Sequence, residues 1–160
     1  MSLALRTTTA DDATTIHALI VALAEYEREP DAVVNTPDVL RAQLAAPRPP
    51  FECVLAEEDG VAVGFALFFP TYSTWLGRPG VWLEDLFVLA AHRRRGIGRA
   101  LLTRVAELAV ARGCGRLEWS VLDWNTPAQD FYRRLGATAL GEWRLHRLTG
   151  EALRDLASPR

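Results

Sequence analysis

The chain contains no lysine, since all 18 of its basic residues are arginine. Schiff-base catalysis and phosphate loops built around a lysine are therefore excluded. The two cysteines, Cys53 and Cys114, and the three histidines, His17, His92 and His146, show neither metal-ligand nor redox spacing, so no metal site is predicted. Cys53 lies in an apolar stretch, which predicts a buried thiol.

Long hydrophobic runs are also missing. No stretch approaches the roughly 20 apolar residues that a membrane-spanning helix needs, and residues 1–6 lack the basic start and apolar run of a secretory signal. The net charge of −2 gives no general attraction for nucleic acid. A cytoplasmic protein with neither nucleic acid nor membrane as a partner is the expectation.

The composition that remains is typical of one globular domain. With 160 residues, 49% of them hydrophobic and 24% charged, the chain is long and apolar enough to bury one core. No internal repeat, low-complexity segment or linker divides it. Residues 1–160 are therefore predicted to form a single domain.

Hydrophobic spacing and turn residues predict the order of helices and strands. Helices are predicted after Thr9, after Thr36-Pro37, over Gly96–Arg112, over Thr126–Leu135 and after Thr149. Strands are predicted at Leu3–Arg6, Phe51–Glu57, Val61–Phe69, Val81–Val88, Arg116–Val121 and Trp143–Leu148, with Asp59-Gly60 as a hairpin turn and Pro70–Gly80 as a loop. A hairpin run followed by alternating strands and helices predicts an α/β (α+β) fold, with helices packed on the faces of a mixed sheet.

A basic turn with two glycines joins the predicted strand Val81–Val88 to the helix after it. The first N–H groups of a helix have no internal partner and attract anions. Gly96 and Gly98 let a phosphate approach the backbone, and the neighbouring arginines add charge-assisted hydrogen bonds. The spacing fits neither a Walker loop nor a dinucleotide fingerprint. The segment therefore predicts a phosphate cradle, with a merely solvated basic helix start as the alternative.

The turn has the pattern Arg-x-x-Gly-x-Gly, which resembles the pyrophosphate loop of the GNAT superfamily of N-acetyltransferases. Other segments match one branch of that superfamily, the diamine acetyltransferase family: residues 23–27, 72–75, 82–85, 121–125 and 131–137. Tyr-Ser-Thr-Trp and Val-Leu-Asp-Trp-Asn look closer to the thialysine enzymes of this family than to the spermidine/spermine enzymes. The resemblance implies the GNAT acyl-CoA N-acyltransferase fold, a mixed and mostly antiparallel sheet with helices on both faces, and a homodimer.

The same resemblance implies acetyl-CoA as co-substrate and a small-molecule amine as acceptor. Contacts to the pantetheine arm are expected from Leu86, Phe87 and Val88. Contacts to the pyrophosphate are expected from Arg93, Arg94, Arg95, Gly96, Ile97, Gly98 and Arg99. Further CoA contacts are expected from Asn125, Thr126, Pro127 and Ala128. Asn125 could equally serve only as the cap of its helix.

Acetylation of an amine by direct attack on a thioester requires a base and an acid. An alkylamine has a pKa of about 10 and arrives protonated, and the departing thiolate must gain a proton. Glu84, in an apolar strand, is the candidate base, acting through a water, and burial is expected to raise its pKa; an outward-facing strand carboxylate is the alternative. Strand alternation predicts that Asp85 points the other way. Tyr132 matches the tyrosine that serves as the acid in the family; plain aromatic packing is the alternative.

The acceptor site is expected to combine acidic and aromatic side chains. The resemblance suggests Tyr26, Glu27, Trp75, Glu84, Glu118, Trp119 and Ser120. Trp75 is either an aromatic wall for a cation or a plain packing residue. Ser73 stands where the spermidine enzyme has an aspartate, which favours a shorter amine or a thialysine-like amino acid over a long polyamine. The alternatives are an enzyme for another amine, such as an aminoglycoside or a protein N-terminus, and a non-catalytic acetyl-CoA sensor.

Overall fold

The computed structural model describes residues 2–159, and contacts divide the chain into two compact units between Ser120 and Val121. The first unit contains a five-stranded sheet made of β1 (Leu3–Thr7), β2 (Glu52–Glu58), β3 (Val61–Ser73), β4 (Arg78–Val88) and β5 (Leu117–Glu118). It also contains helices α1 (Ala13–Tyr26), α2 (Pro37–Leu44) and α3 (Ile97–Ala111). The second unit contains helices α4 (Thr126–Arg134) and α5 (Gly150–Ala157).

The sheet has the order β1-β2-β3-β4-β5, in which β1 to β4 are antiparallel and β5 runs parallel to β4. This confirms the predicted mixed and mostly antiparallel sheet. The turn between β2 and β3 falls at Asp59 and Gly60, whose φ angles are 50° and 81°. Two successive left-handed residues form the turn whose twist suits a tight hairpin, so this prediction is also confirmed.

Helices α1 and α2 cover one face of the sheet. Before α1, the Thr9 hydroxyl and the Asp12 carboxylate form a reciprocal capping box. The Thr36 hydroxyl accepts a hydrogen bond from the Val39 N–H at the start of α2. Their apolar side chains form one core cluster with side chains from β2, β3 and β4: Ile16, Leu19, Leu23, Leu40, Cys53, Leu55, Phe65, Leu67 and Phe87. The predicted caps and apolar stripes therefore mark both helices correctly.

Helix α3 packs against β2, β3 and β4 through residues that alternate with those facing α1. Its buried side chains include Ile97, Leu101 and Val105. On this face Gly64 lies so close to β4 that an added Cβ would be 2.7 Å from the Phe87 carbonyl oxygen. A glycine at that position lets β3 and β4 approach each other beneath the start of α3.

Three sequence predictions fail in the described residues. Pro70–Gly80 is not a loop, because β3 continues to Ser73 and β4 begins at Arg78. Pro70 is tolerated because the pairing of β3 with β2 ends at Phe68, so no strand on that side needs its missing N–H. The predicted strand Arg116–Val121 shrinks to the two residues that pair with β4.

The third failure is the predicted strand Trp143–Leu148, which is not a strand. Its alternating pattern suits a strand, but a strand also needs a partner, and Trp143 and Leu145 are exposed. Within residues 2–159, no helix is long and apolar enough to cross a membrane.

Candidate active site

A β-bulge in the middle of β4 determines where its acidic residues lie. Leu67 of β3 pairs with Asp85, whereas the next residue, Phe68, pairs with Leu83, so Glu84 is the extra residue. The bulge interrupts the alternation of faces on which the sequence prediction relied. Glu84 is exposed, and its carboxylate accepts a 2.8 Å hydrogen bond from the Trp82 Nε1–H. The predicted burial of Glu84 is therefore wrong.

The neighbouring carboxyl group has the environment that was expected for Glu84. Asp85 is in register with Leu67 and Cys53, so it lies on the face of the sheet that α1 covers. Burial, followed by the negative charges of Glu84 and Glu27, raises the pKa of Asp85 to about 7. Sequence reasoning set Asp85 aside because strict alternation pointed it away from Glu84. The only available signal was the Glu84-Asp85 pair itself, because a bulge cannot be read from one sequence.

Glu27 belongs to the same electrostatic neighbourhood. It follows the last turn of α1, where its backbone N–H donates to carbonyl oxygens of that turn. Burial first, and the charge of Glu84 second, raise the pKa of its partly buried side chain. The negative charge of Glu84 thus acts on both Glu27 and Asp85, and a cationic amine among these three carboxyl groups would relieve their repulsion. The structure brings together two of the acids predicted for the acceptor site and adds a third.

An arginine–aromatic stack connects the end of α1 with the basic turn. The Tyr26 and Phe87 ring centroids lie 6.2 Å apart. The Arg93 guanidinium carbon lies 4.5 Å from the Tyr26 centroid and 5.4 Å from that of Phe87. The Arg93 Nε–H also donates a 2.9 Å hydrogen bond to the Val88 carbonyl oxygen. Arg93 therefore joins a predicted acceptor-site residue to the strand end predicted to hold the cofactor.

The basic turn itself has the backbone geometry of an anion site. Arg94 and Gly96 have left-handed φ angles of 63° and 79°, and Gly96 occupies the N-cap position of α3. No side chain caps this helix start, and a Cβ on Gly96 would meet nothing within 4 Å. The first N–H groups of α3 thus lack a side-chain cap, which suits them to phosphate oxygens. Arg94 and Arg99 are exposed beside them, while the Ile97 side chain is buried and anchors the turn.

Strand β4 has an open edge along the residues predicted to contact pantetheine. Its parallel pairing with β5 consists of Val81 with Leu117 and Trp82 with Glu118. From Leu83 onward, β4 pairs only with β3 among the described residues. The outer backbone groups of Leu86–Val88 can therefore hydrogen-bond an extended amide chain, as a further strand would. Trp119 is partly buried and Ser120 is exposed after the end of β5.

The turn between β3 and β4 carries the predicted aromatic residue of the acceptor site. Trp75 is 82% exposed, so it does not pack in the core of its own unit. The Ser73 hydroxyl accepts a 3.2 Å hydrogen bond from the Leu76 N–H. Ser73 therefore shapes this turn. Its side chain is also neutral, in contrast to the aspartate expected at this position in a spermidine enzyme.

In the unit from Val121 onward, the predicted cofactor and acid residues lie on α4. The Asn125 side chain caps the helix, since its Oδ1 accepts a 3.3 Å hydrogen bond from the Ala128 N–H. Thr126 and Pro127 form the first helical turn. Tyr132 is partly buried, with its ring 5.4 Å from that of Phe131. The capping alternative for Asn125 is thus observed.

Among residues 2–159, no group of three or more His, Cys, Asp or Glu side chains is arranged to hold a metal ion. The chemistry that the first unit offers is that of carboxylates, arginines and backbone amides. Phosphate-binding groups occur at the start of α3, an open strand edge lies beside them, and acids gather at the end of α1. This arrangement suits a long phosphorylated cofactor and a cationic second substrate.

Comparison with known proteins identifies related sequences. The profile described as Acetyltransferase (GNAT) family matches residues 16–137. A thialysine N-epsilon-acetyltransferase from Bos taurus is 40% identical over 157 residues, covering 91% of this chain and 92% of the relative. L-ornithine N5-acetyltransferase NATA1 from Arabidopsis thaliana is 50% identical over 98 residues, covering 61% of this chain and 43% of the relative.

A solved structure supports the fold independently. The integron cassette protein VCH_CASS6 from the mobile metagenome of V. cholerae superposes with a TM-score of 0.83 at 24% identity, covering 99% of both chains. At this identity the similarity concerns the fold alone.

Proposed function

Because the chain belongs to the acetyltransferase (GNAT) family, we propose that it transfers the acetyl group of acetyl-CoA directly to the amine of a small molecule. The observation that carries this proposal is the uncapped start of α3 beside the open edge of β4. The helix start suits the pyrophosphate, and Leu86–Val88 suit the amides of the pantetheine arm. A backbone N–H at this edge would also stabilise the oxyanion of the tetrahedral intermediate.

The proposed chemistry needs three proton transfers. Glu84 takes one proton of the ammonium group through a bridging water, and the neutral nitrogen attacks the thioester carbonyl carbon. The tetrahedral intermediate collapses, the C–S bond breaks, and Tyr132 gives its proton to the thiolate of CoA. The tyrosinate then regains a proton from the acetylated nitrogen, which leaves the neutral amide. Asp85, with its pKa of about 7, is a second carboxyl group whose protonation the amine would sense.

The proposed acceptor is a short diamine or a thialysine-like amino acid. The relatives named above act on thialysine and on ornithine, which both carry a side-chain amine. Glu27, Glu84 and Asp85 supply negative charge for an alkylammonium, and Tyr26 supplies an aromatic wall. Ser73 adds no charge for the far end of a long polyamine.

The resemblance to the diamine acetyltransferase family also leads us to propose a homodimer, which sedimentation at micromolar concentration would test.

The decisive experiment measures turnover of acetyl-CoA with a panel of amines, and the released CoA thiol is detected. Thialysine, lysine, ornithine, putrescine and spermidine should be compared side by side, with an aminoglycoside as the competing substrate class. We expect the largest kcat/KM among the short amines. If the protein binds CoA in calorimetry but releases no CoA thiol from acetyl-CoA with any of these amines, a non-catalytic sensor is favoured. Absence of CoA binding at millimolar concentration would overturn the proposal.

The base is tested by Glu84→Gln, with Glu107→Gln as the matched control, because Glu107 is an exposed glutamate on α3. We expect Glu84→Gln to lower kcat/KM and to shift the acid limb of its pH profile, since proton transfer through the water is lost. The control should keep the wild-type profile. A wild-type profile in Glu84→Gln would remove Glu84 from this role, and the same measurement on Asp85→Asn would then test its neighbour.

A further inference from the structure

One carboxylate outside the acceptor site holds the basic turn from below. Glu58, the last residue of β2, is buried, with 9% of its side chain exposed. Its Oε2 lies 2.5 Å from the Nδ1 of His92 and 3.2 Å from a terminal nitrogen of Arg95. An ionised carboxylate only accepts hydrogen bonds, so the His92 Nδ1 carries the proton in this contact.

The two partners of Glu58 bracket the backbone that presents the phosphate site. His92 ends the short 3-10 turn that follows β4, and Arg95 immediately precedes the left-handed Gly96. Between them, Arg94 adopts a left-handed φ of 63°, which an L-residue keeps only where its surroundings fix it. Glu58 therefore clamps both ends of a segment whose backbone is intrinsically unfavourable.

We propose that Glu58 is a positioning residue for the pyrophosphate of CoA, acting through His92 and Arg95 to hold the turn in its anion-binding shape. This inference rests on the proposed function, which supplies CoA as the ligand. Glu58 lies at the end of β2, outside the turn, and it contacts the side chains of His92 and Arg95. It also compensates one positive charge of the turn, because Arg95 is ion-paired with it, while Arg94 and Arg99 are exposed beside the helix start.

The charge on Glu58 persists throughout the neutral range. Its hydrogen bond from His92, followed by the attraction of Arg95, holds the pKa of Glu58 below its ordinary value. The clamp is therefore a permanent part of the site between pH 6 and 8. Its loss should change how well the turn is organised without changing the chemistry of acetyl transfer.

The test compares Glu58→Gln with Glu57→Gln in the full chain. Glu57 is the adjacent residue on β2, and it pairs with Arg6 on β1 instead of the turn. In calorimetric titrations with CoA, we expect Glu58→Gln to raise Kd about 10-fold, on the scale of one charge-assisted hydrogen bond. Glu57→Gln should stay within about 2-fold, since it removes an ion pair away from the turn.

A phosphate-free acyl donor separates positioning from general damage. With acetyl-CoA, Glu58→Gln should raise the KM for the donor about 10-fold and leave kcat within about 2-fold. With S-acetyl-N-acetylcysteamine, which has no phosphates, kcat/KM should match that of the wild type. An equal loss with both donors, or an unchanged Kd for CoA, would refute the inference.

A second variant keeps the test decisive if Glu58→Gln does not fold. His92→Leu removes the same hydrogen bond from a partly exposed position, and it should raise the Kd for CoA by at least about 3-fold. An unchanged Kd in this variant would also refute the clamp. A wild-type protein that fails to bind CoA would refute the proposed function, whereas wild-type binding that both variants keep would refute only the role of Glu58.

Discussion

Replacing Asp85 by asparagine should stabilise the protein, and more so as the pH rises. Asp85 is a partly buried carboxyl group beside Glu84 and near Glu27. Its ionisation places a negative charge in a partly desolvated environment close to two other acidic groups. Asparagine has nearly the same size and shape but cannot ionise. The variant therefore removes the charge while leaving the packing against Leu67 in place.

The sign and the size follow from the pKa of Asp85. Folding raises it from the ordinary 3.8 to about 7, so the native state binds the proton more tightly than the unfolded state does. The stabilisation that comes from the protonated Asp85 carboxyl group is complete below pH 3.8 and is lost as the pH rises through about 7. At about 1.4 kcal/mol per pH unit, the ionised carboxylate costs the fold at most about 4 kcal/mol above pH 7. At pH 5 the same arithmetic gives only about 1.5 kcal/mol.

The assay is urea unfolding of wild type and Asp85→Asn at a series of pH values from 5 to 8. The difference in the free energy of unfolding should favour the variant and widen by roughly 2 to 3 kcal/mol across this range. Asp38→Asn is the matched control, because the Asp38 side chain is 94% exposed, and its effect should stay within about 0.5 kcal/mol. A constant difference between pH 5 and pH 8 would refute the reasoning.

Three further outcomes follow from the structure. Tyr132→Phe should lower turnover about 100-fold with CoA affinity nearly intact, as expected for loss of a general acid, and unchanged turnover would remove Tyr132 from that role. Gly64→Ala should lower the free energy of unfolding by at least about 1 kcal/mol, because its Cβ would meet backbone at 2.7 Å; a thermal melt like that of wild type would contradict this. Burial, followed by the charge of Asp85, raises the pKa of the Cys53 thiol to about 12, so native protein should react with a thiol reagent at Cys114 alone and denatured protein at both cysteines.

Features encoded by neighbouring residues could be predicted from the sequence. The caps at Thr9 and Thr36 and the Asp59-Gly60 turn depend on contacts within a few residues, and the structure confirms all three. The glycine turn into α3 belongs to the same class, since Gly96 begins the helix in the left-handed conformation. Local chemistry was sufficient because each feature satisfies its own backbone groups.

Features that depend on distant partners could not be predicted. The segment Trp143–Leu148 alternates like a strand, yet no rule within the segment supplies the strand that would pair with it. The bulge at Glu84 is a property of the register between β3 and β4, so the exchange of environments between Glu84 and Asp85 was invisible. Glu58 and His92 are 34 positions apart, and only the fold brings them together.

The extra residue in β4 also gives the two halves of the strand opposite patterns of inward and outward side chains. Before Glu84, the odd-numbered residues Val81 and Leu83, each 2% exposed, point to the side of the sheet that α3 covers. After Glu84, the odd-numbered residues Asp85 and Phe87 point to the side that α1 covers. Deleting that single residue would restore a regular phase and force Val81 and Leu83 to exchange sides with Trp82. A shortened loop elsewhere would be tolerated far better than this one-residue deletion, which would rotate half a strand out of its core.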